Sequence, residues 1–175
     1  MQLRDANSPP LQISTDRGGL VLRELSTPTD DQAYFEAVED SRTELDELEG
    51  IGRKYQGIED VEASRLLTDR RTKIRMGIWS REVLVGSVNA TLDEGDGNVE
   101  IGYWTRTGYT GQQYASLAAR ALAAYVAPYA TSVFAEAAES NIGSRKVLEH
   151  AGFQMSKYRV AHRAGYIAYE LATKP

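Results

Sequence analysis

Two short stretches carry the residue types and spacing best suited to chemistry. The first runs from Asn141 to Phe153 (NIGSRKVLEHAGF). Asn141 can open a helix by accepting a bond from a free backbone N–H, and Gly152 can close it in the left-handed conformation. Ser144 sits one turn inside. By itself this spacing describes a well-capped short helix. The second stretch lies upstream. Asn98 to Thr105 (NVEIGYWT) reads as a strand, Arg106 to Tyr109 as a turn, and Thr110-Gly111-Gln112-Gln113-Tyr114-Ala115 leads into an Ala/Leu-rich helix. Such a junction leaves several backbone N–H groups unpaired at the positive end of a helix dipole, which suits a pyrophosphate.

The remaining chain must supply a frame for these two stretches. Residues 1–10 are polar and end in two prolines, so a loose arm is expected there. Leu11 to Ser14 and Leu20 to Leu25 have strand character around a turn at Asp16 to Gly19. Pro28 and the acids after it predict a helix from about Thr29 to Glu39. Ser41 to Glu44 has the capping-box pattern and predicts a second helix closing near Gly50. A loop follows to Gly57, then a third helix from Ile58 to near Arg70. Strands are predicted at Lys73 to Trp79 and Glu82 to Leu92, joined by a hairpin, and at Val99 to Thr105. The helix from Gly111 to Val126 is apolar on more than one side (Leu117, Ala118, Ala121, Leu122, Tyr125), so it packs on a sheet. Pro128 prevents its continuation. Thr131 to Ala138, Phe153 to Val160 and Tyr166 to Leu171 complete the strands, with the Asn141–His150 helix between the first two. No repeat, low-complexity tract or linker interrupts residues 11–175, which are expected to form a single domain.

The chain has 175 residues and a formal net charge of −5. That length is enough for a proper core, and the charge disfavours nucleic acid as the main partner. No apolar run is long enough for a membrane span, and no basic-then-apolar leader opens the chain, so a cytoplasmic setting is the default. Cysteine is absent, which excludes disulfides, thiolate metal sites and a cysteine nucleophile. His150 and His162 lie apart in sequence and form no spaced metal motif; both read as surface or structural, and no metal is expected.

Taken together, the two stretches resemble the GNAT superfamily of acyl-CoA-dependent N-acyltransferases, and most of all its RimJ/RimL-like branch. In that branch an EIGYW strand and a GYA-type loop are followed by N..S..vLe..GF. The resemblance extends from about Leu11 across nearly the whole chain. It implies an α+β, layered fold: a mixed, mostly antiparallel sheet of six to seven strands flanked by helices, splayed where acyl-CoA enters. It also implies acetyl-CoA as co-substrate and a primary amine as acceptor, either a protein N-terminal amine or a cationic small molecule. Moving an acetyl group from thioester to amine needs a base for the amine, a donor for the carbonyl oxygen and an acid for the leaving thiolate. The resemblance assigns the base to Glu100, acting directly or through a water, and the acid to Ser144. Many GNAT enzymes carry a Tyr one turn further on; here that position is Leu148, which fits the Ser-using branch. Asn141 would bond the CoA arm or a bound water, although a pure cap explains it equally. The backbone of Trp104 and Thr105 would pair with the pantetheine chain as an added strand does.

The phosphate loop departs from the family pattern. Gly111 and Ala115 fit, but Thr110 stands where the family has Gln or Arg, and Gln113 stands where it has Gly. Gly matters where backbone must approach a phosphate closely. If Gln113 is helical it can still donate its N–H, as can Gln112 and Tyr114, although its side chain crowds the site. The alternative class is therefore a GNAT-fold module that binds a ligand or a partner protein without transfer. Thr43 to Glu49 (TELDELE) is a solvated acidic face or a funnel for a cationic acceptor, with Asp46 near Glu49. Exposed strands and tyrosine-rich edges (Tyr158, Tyr166, Tyr169) permit a homodimer.

Overall fold

The computed structural model of the chain describes residues 2–48 and 51–172. Its strands are β1 (Gln12–Ser14), β2 (Leu20–Glu24), β3 (Lys73–Ser80), β4 (Val83–Leu92), β5 (Val99–Thr105), β6 (Val133–Ala138), β7 (Phe153–Met155) and β8 (Tyr166–Leu171). Its helices are α1 (Pro28–Glu39), α2 (Arg42–Leu48), α3 (Ile51–Lys54), α4 (Ile58–Leu66), α5 (Tyr114–Val126) and α6 (Ile142–Ala151). The strands form one sheet in the order β1-β2-β3-β4-β5-β6-β8-β7. Every neighbouring pair is antiparallel except β5 and β6, which run parallel. The sheet is mixed and mostly antiparallel, as expected, with eight strands rather than six to seven. The edges are the three-residue strands β1 and β7. No helix among the described residues is long and apolar enough to cross a membrane.

Successive side chains of a strand alternate between the two faces of a sheet, and both faces here are covered. Ile74, Met76, Val88, Ala90, Val99 and Ile101 face α5 and α6, packing on Ala118, Leu122 and Leu148 in the main core. The opposite residues face α1 to α4. There Leu25, Trp79, Leu84 and Trp104 meet Tyr34, Val38, Leu45, Tyr55 and Val61 in a second core. Glu100 belongs to this second face, because its even-numbered neighbour Trp104 does and Val99 and Ile101 do not.

Local differences from expectation have identifiable causes. Thr27 and Asp30 form a true capping box at the start of α1. The box expected of Ser41 and Glu44 does not form. The Ser41 N–H donates to Val38 O, and its buried hydroxyl donates to Ala37 O and accepts from Thr107 N. Asp46 accepts from the Arg53 N–H at 2.6 Å, within a short helix α3 where a loop was expected. Glu49 and Gly50, where the charge beside Asp46 and the end of the second helix were expected, lie outside the described residues. α4 closes at Leu66, because Asp69 O accepts from Thr72 N and Lys73 N and turns the chain into β3. β7 ends at Met155 instead of Val160, as Ser156 Oγ accepts from Tyr158 N and Arg159 N and folds the chain away.

Residues 2–10 are anchored where a loose arm was expected. Leu3 is buried and its N–H donates to Arg71 O. Arg4 and Arg70 both reach Glu24, and Arg70 also donates to Ala6 O and Ser8 O. Burial pushes the Glu24 carboxyl up, but the bonds from Arg70 and Leu11 N–H and the charges of Arg4 and Arg70 outweigh it, leaving the group below its ordinary value. A carboxylate held low in the folded state stabilises the fold above its unfolded pKa, near 4.3, and loses that contribution as pH falls through the folded value. Glu24→Gln is therefore expected to cost about 3 kcal/mol at neutral pH by leaving two arginines without their carboxylate. In denaturant titrations the gap between parent and variant should close once the pH is well below 4; a constant gap would mean that charge is not its source.

Candidate active site

β5 and β6 stay together for only two positions. Among the described residues they pair at Val99 with Val133 and Glu100 with Phe134, although β5 continues to Thr105 and β6 to Ala138. On its other side β5 is paired with β4 through Thr105, and β6 with β8 through Ala138. The sheet is thus split along one line, and each bank presents backbone donors and acceptors that no neighbouring strand takes up. The backbone of Trp104 and Thr105 lies on this bank, where an extended ligand chain could pair as an added strand. The Trp104 indole turns away, donating to Tyr34 Oη at 3.3 Å in the second core.

At the end of β5 the chain turns through residues 106–113 into α5. Arg106 pairs with Asp40 and Thr107 N–H donates to Ser41 Oγ, so the turn is pinned to the α1–α2 corner. Thr110, Gly111, Gln112 and Gln113 are exposed, while Tyr114 and Ala115 are buried. The helix begins at Tyr114 rather than at Gly111. Its first-turn N–H groups have no partners within the helix and face the open end. Gln113 is the N-cap residue, and its side chain makes no capping bond. Its backbone is left-handed, with φ 64° and ψ 8°, not helical as was required for easy tolerance of a side chain. That explains why glycine suits this position: Gln113 bears a conformational cost that glycine does not. Arg17 adds positive charge to the junction. It donates to Gln112 O at 2.7 Å, and its guanidinium lies 5.0 Å from the centre of the Tyr114 ring. A helix N-terminus with an adjacent arginine fits an anionic phosphate group.

α6 stands on the other bank. Asn141 caps it, accepting from Ser144 N at 3.0 Å, and Gly152 closes it with φ 96°. Ser144 is half-buried and faces β5. Tyr103 crosses the split to meet it, with its Oη 2.9 Å from Ser144 O and 2.8 Å from Ser144 Oγ. Tyr103 lay within the EIGYW motif but had no assigned part. Only its strand parity, opposite to Glu100, hinted that it faces α6.

Glu100 lies on the face toward α1 to α4, half-buried, in a row running Lys73, Thr91, Glu100 and Phe134 across four strands. Burial and the nearby Lys54 lower the Lys73 ammonium below its ordinary range, against the opposing pull of Tyr55 and Glu100. Beyond Phe134 the segment 156–165 folds over this face. Arg159 stacks on the Phe134 ring at 4.0 Å, and the buried Glu136 carboxylate takes His162 at 2.7 Å and Arg163 at 3.7 Å. His162 is thus structural, and His150 is exposed on α6. Among the described residues no cluster of His, Asp and Glu could hold a metal ion. Sequence reasoning therefore named two groups that the fold sets around one split in the sheet, Glu100 and Ser144, on opposite faces.

A family model for the acetyltransferase (GNAT) domain matches residues 19–154. The chain belongs to the GNAT acetyltransferases. Acetyl-CoA is accordingly its co-substrate. Among solved structures, RimL, a ribosomal L7/L12 α-N-protein acetyltransferase in complex with coenzyme A, superposes with a TM-score of 0.78 at 17% identity, covering 91% of this chain and 97% of RimL. The microcin C7 self-immunity acetyltransferase MccE, bound to acetyl-CoA and AMP, gives 0.75 at 13% identity, covering 88% and 92%. RimJ of Mycobacterium smegmatis gives 0.72 at 17%, covering 92% and 85%. These similarities show that the fold is shared with RimL and RimJ acetyltransferases. Among proteins of curated function none matches at a significant level.

The left-handed Gln113 yields a direct test. Gln113→Gly is expected to stabilise the chain by about 1 kcal/mol, the order of the left-handed penalty for a residue with a Cβ. It should raise the thermal midpoint without any ligand present. An unchanged or lower midpoint would show that Gln113 carries no strain.

Proposed function

We propose that this protein is an acetyl-CoA-dependent N-acetyltransferase that moves an acetyl group directly to a primary amine within a ternary complex. The observation that carries this reading is the split between β5 and β6, with the α5 N-terminus at one end and Ser144 on its far bank. The N–H groups around Gly111 to Ala115, with Arg17 beside them, hold the pyrophosphate. The backbone of Trp104 and Thr105 holds the pantetheine arm. Asn141 orients Ser144 by capping its N–H. Glu100 takes a proton from the amine, directly or through a water, and Ser144 gives one to the departing sulfur. No covalent enzyme intermediate is needed, so a chain without cysteine suffices.

For the acceptor we favour a protein N-terminal amine or a cationic small molecule. An acetyltransferase from Salmonella typhimurium, 18% identical, modifies the N-terminal serine of 50S ribosomal subunit protein L7/L12. Glu44 and Glu47 are exposed on α2, beside the face that carries Glu100, and would attract a cation, whereas Asp46 is engaged by Arg53. The left-handed Gln113 favours a second reading, a GNAT-fold module that binds a ligand or partner without transfer.

Calorimetric titration with acetyl-CoA separates the two. Micromolar binding followed by turnover of an amine panel is expected. Glu100→Gln should then lower kcat by about 10²-fold, the usual worth of a general base, with acetyl-CoA affinity unchanged. Absence of binding at millimolar acetyl-CoA would favour the second reading, and full turnover by the Glu100 variant would remove Glu100 from the mechanism.

A further inference from the structure

Resting on the transferase reading for the identity of the leaving thiolate, we infer that Tyr103 is the positioning residue for Ser144 and the source of the proton that Ser144 passes on. A carbonyl oxygen only accepts, and a phenol has one hydrogen to give. Tyr103 Oη lies within bonding distance of both Ser144 O, at 2.9 Å, and Ser144 Oγ, at 2.8 Å. Both contacts are full two-centre hydrogen bonds only if Tyr103 donates to the carbonyl and the Ser144 hydroxyl donates to Tyr103. At rest, then, the Ser144 hydrogen points at Tyr103. With Asn141 Oδ1 on its N–H at 3.0 Å, Ser144 is held at three atoms, N, O and Oγ.

Acid strength gives this contact its consequence. A serine hydroxyl that gives up its hydrogen alone becomes an alkoxide, a far stronger base than the thiolate it serves. A phenol titrates near 10 and a thiol near 8.5, so proton transfer between them is close to balanced, which is where general acid catalysis is efficient. The carbon–sulfur bond breaks and its electron pair stays on sulfur. Sulfur takes the hydrogen of Ser144 Oγ. Ser144 Oγ takes the phenolic hydrogen of Tyr103, which turns from the carbonyl to the hydroxyl. The negative charge rests on Tyr103 Oη until solvent returns a proton, offset by the proton the nitrogen releases on becoming an amide.

The test uses the full chain as Tyr103→Phe, Ser144→Ala and the double variant. Each single change should lower kcat by about 10²-fold while the KM for acetyl-CoA stays within about twofold. Because the two residues act as one relay, the double variant should be no slower than the slower single one. Parent-like kcat in Tyr103→Phe, or losses that multiply in the double variant, would overturn the relay. A second readout needs no turnover: the affinity of CoA itself, measured calorimetrically from about pH 6 to about 10. A donated O–H favours the bound thiolate, so the parent should bind CoA about tenfold tighter above the thiol pKa. Ser144→Ala should flatten that rise, and Tyr103→Phe should reduce it. A flat profile in the parent, or a Tyr103→Phe profile that overlays it, counts against the relay. If no amine is acetylated while the pH-dependent rise and its loss are present, the transferase reading fails and the Tyr103–Ser144 coupling stands.

Discussion

The split between β5 and β6 is the constraint around which the rest of the molecule is arranged. A sheet interrupted in its interior leaves two rows of backbone groups without a ladder, a costly feature unless they meet water or a ligand. Both banks must therefore be made rigid from outside. β4 pairs with β5 along its full length, and β8 does the same for most of β6. α5 packs into the main core through Ala118, Leu122 and Val126, and α6 through Leu148 and Ala151. Tyr103 then ties α6 back to β5 across the gap itself. The split stays open because its walls are held by these side-chain and flanking contacts and not by a backbone ladder between them.

The layer of α1 to α4 depends on a different interaction. Arg75 is buried and donates to Tyr55 Oη at 2.9 Å and Ser64 Oγ at 2.8 Å, with its guanidinium 4.9 Å from the Tyr34 ring centre. The Tyr34 ring in turn meets Tyr55 and Trp104 edge-on, each at 5.5 Å. The two phenols respond differently. Burial drives Tyr34 up to about 12. Burial also pushes Tyr55 up, but Arg75 and Ser64 outweigh it and bring Tyr55 below its ordinary value. A single cation thus links β3, α1, the Tyr55 turn after α3 and α4, and through Trp104 the strand that borders the split. Under the transferase reading, the wall facing an incoming acceptor is positioned by the same strand whose backbone lines the cofactor side.

Much of this was legible in the sequence because it follows from local rules. Asn141 and Gly152 bracket α6 as their capping preferences require, and the apolar periodicity of α5 placed it on a sheet. The order of strands and helices was recognisable in the EIGYW and NIGS segments together. Local rules failed where a residue serves a distant partner. Ser41 spends its hydroxyl on Thr107, 66 residues away, so its capping pattern was a false signal. Leu3 and Arg4 look like an arm until Glu24 and Arg71 are brought beside them. Gln113 was the most instructive case. Its departure from glycine was visible, but its left-handed backbone was not, because the first helical residue can be set only once the turn is pinned at Arg106 and Thr107. Tyr103 escaped notice because its partner lies 41 residues on, across a gap that no periodicity reveals.

Strand geometry also explains why direct transfer needs the split at all. Glu100 and Tyr103 are three positions apart on β5, so period-two alternation sends them to opposite faces of the sheet. Under the transferase reading this separates the two proton movements. The amine gives up its proton on the face toward α1 to α4, and the sulfur receives one on the face toward α5 and α6. In a continuous sheet the backbone ladder would stand as a wall between them. Only where two strands part can a single carbonyl carbon be reached from both faces at once. A chain with a cysteine nucleophile could separate the two events in time. This chain has no cysteine; under the transferase reading it separates them in space, and the divergence of β5 from β6 after Glu100 and Phe134 provides the opening.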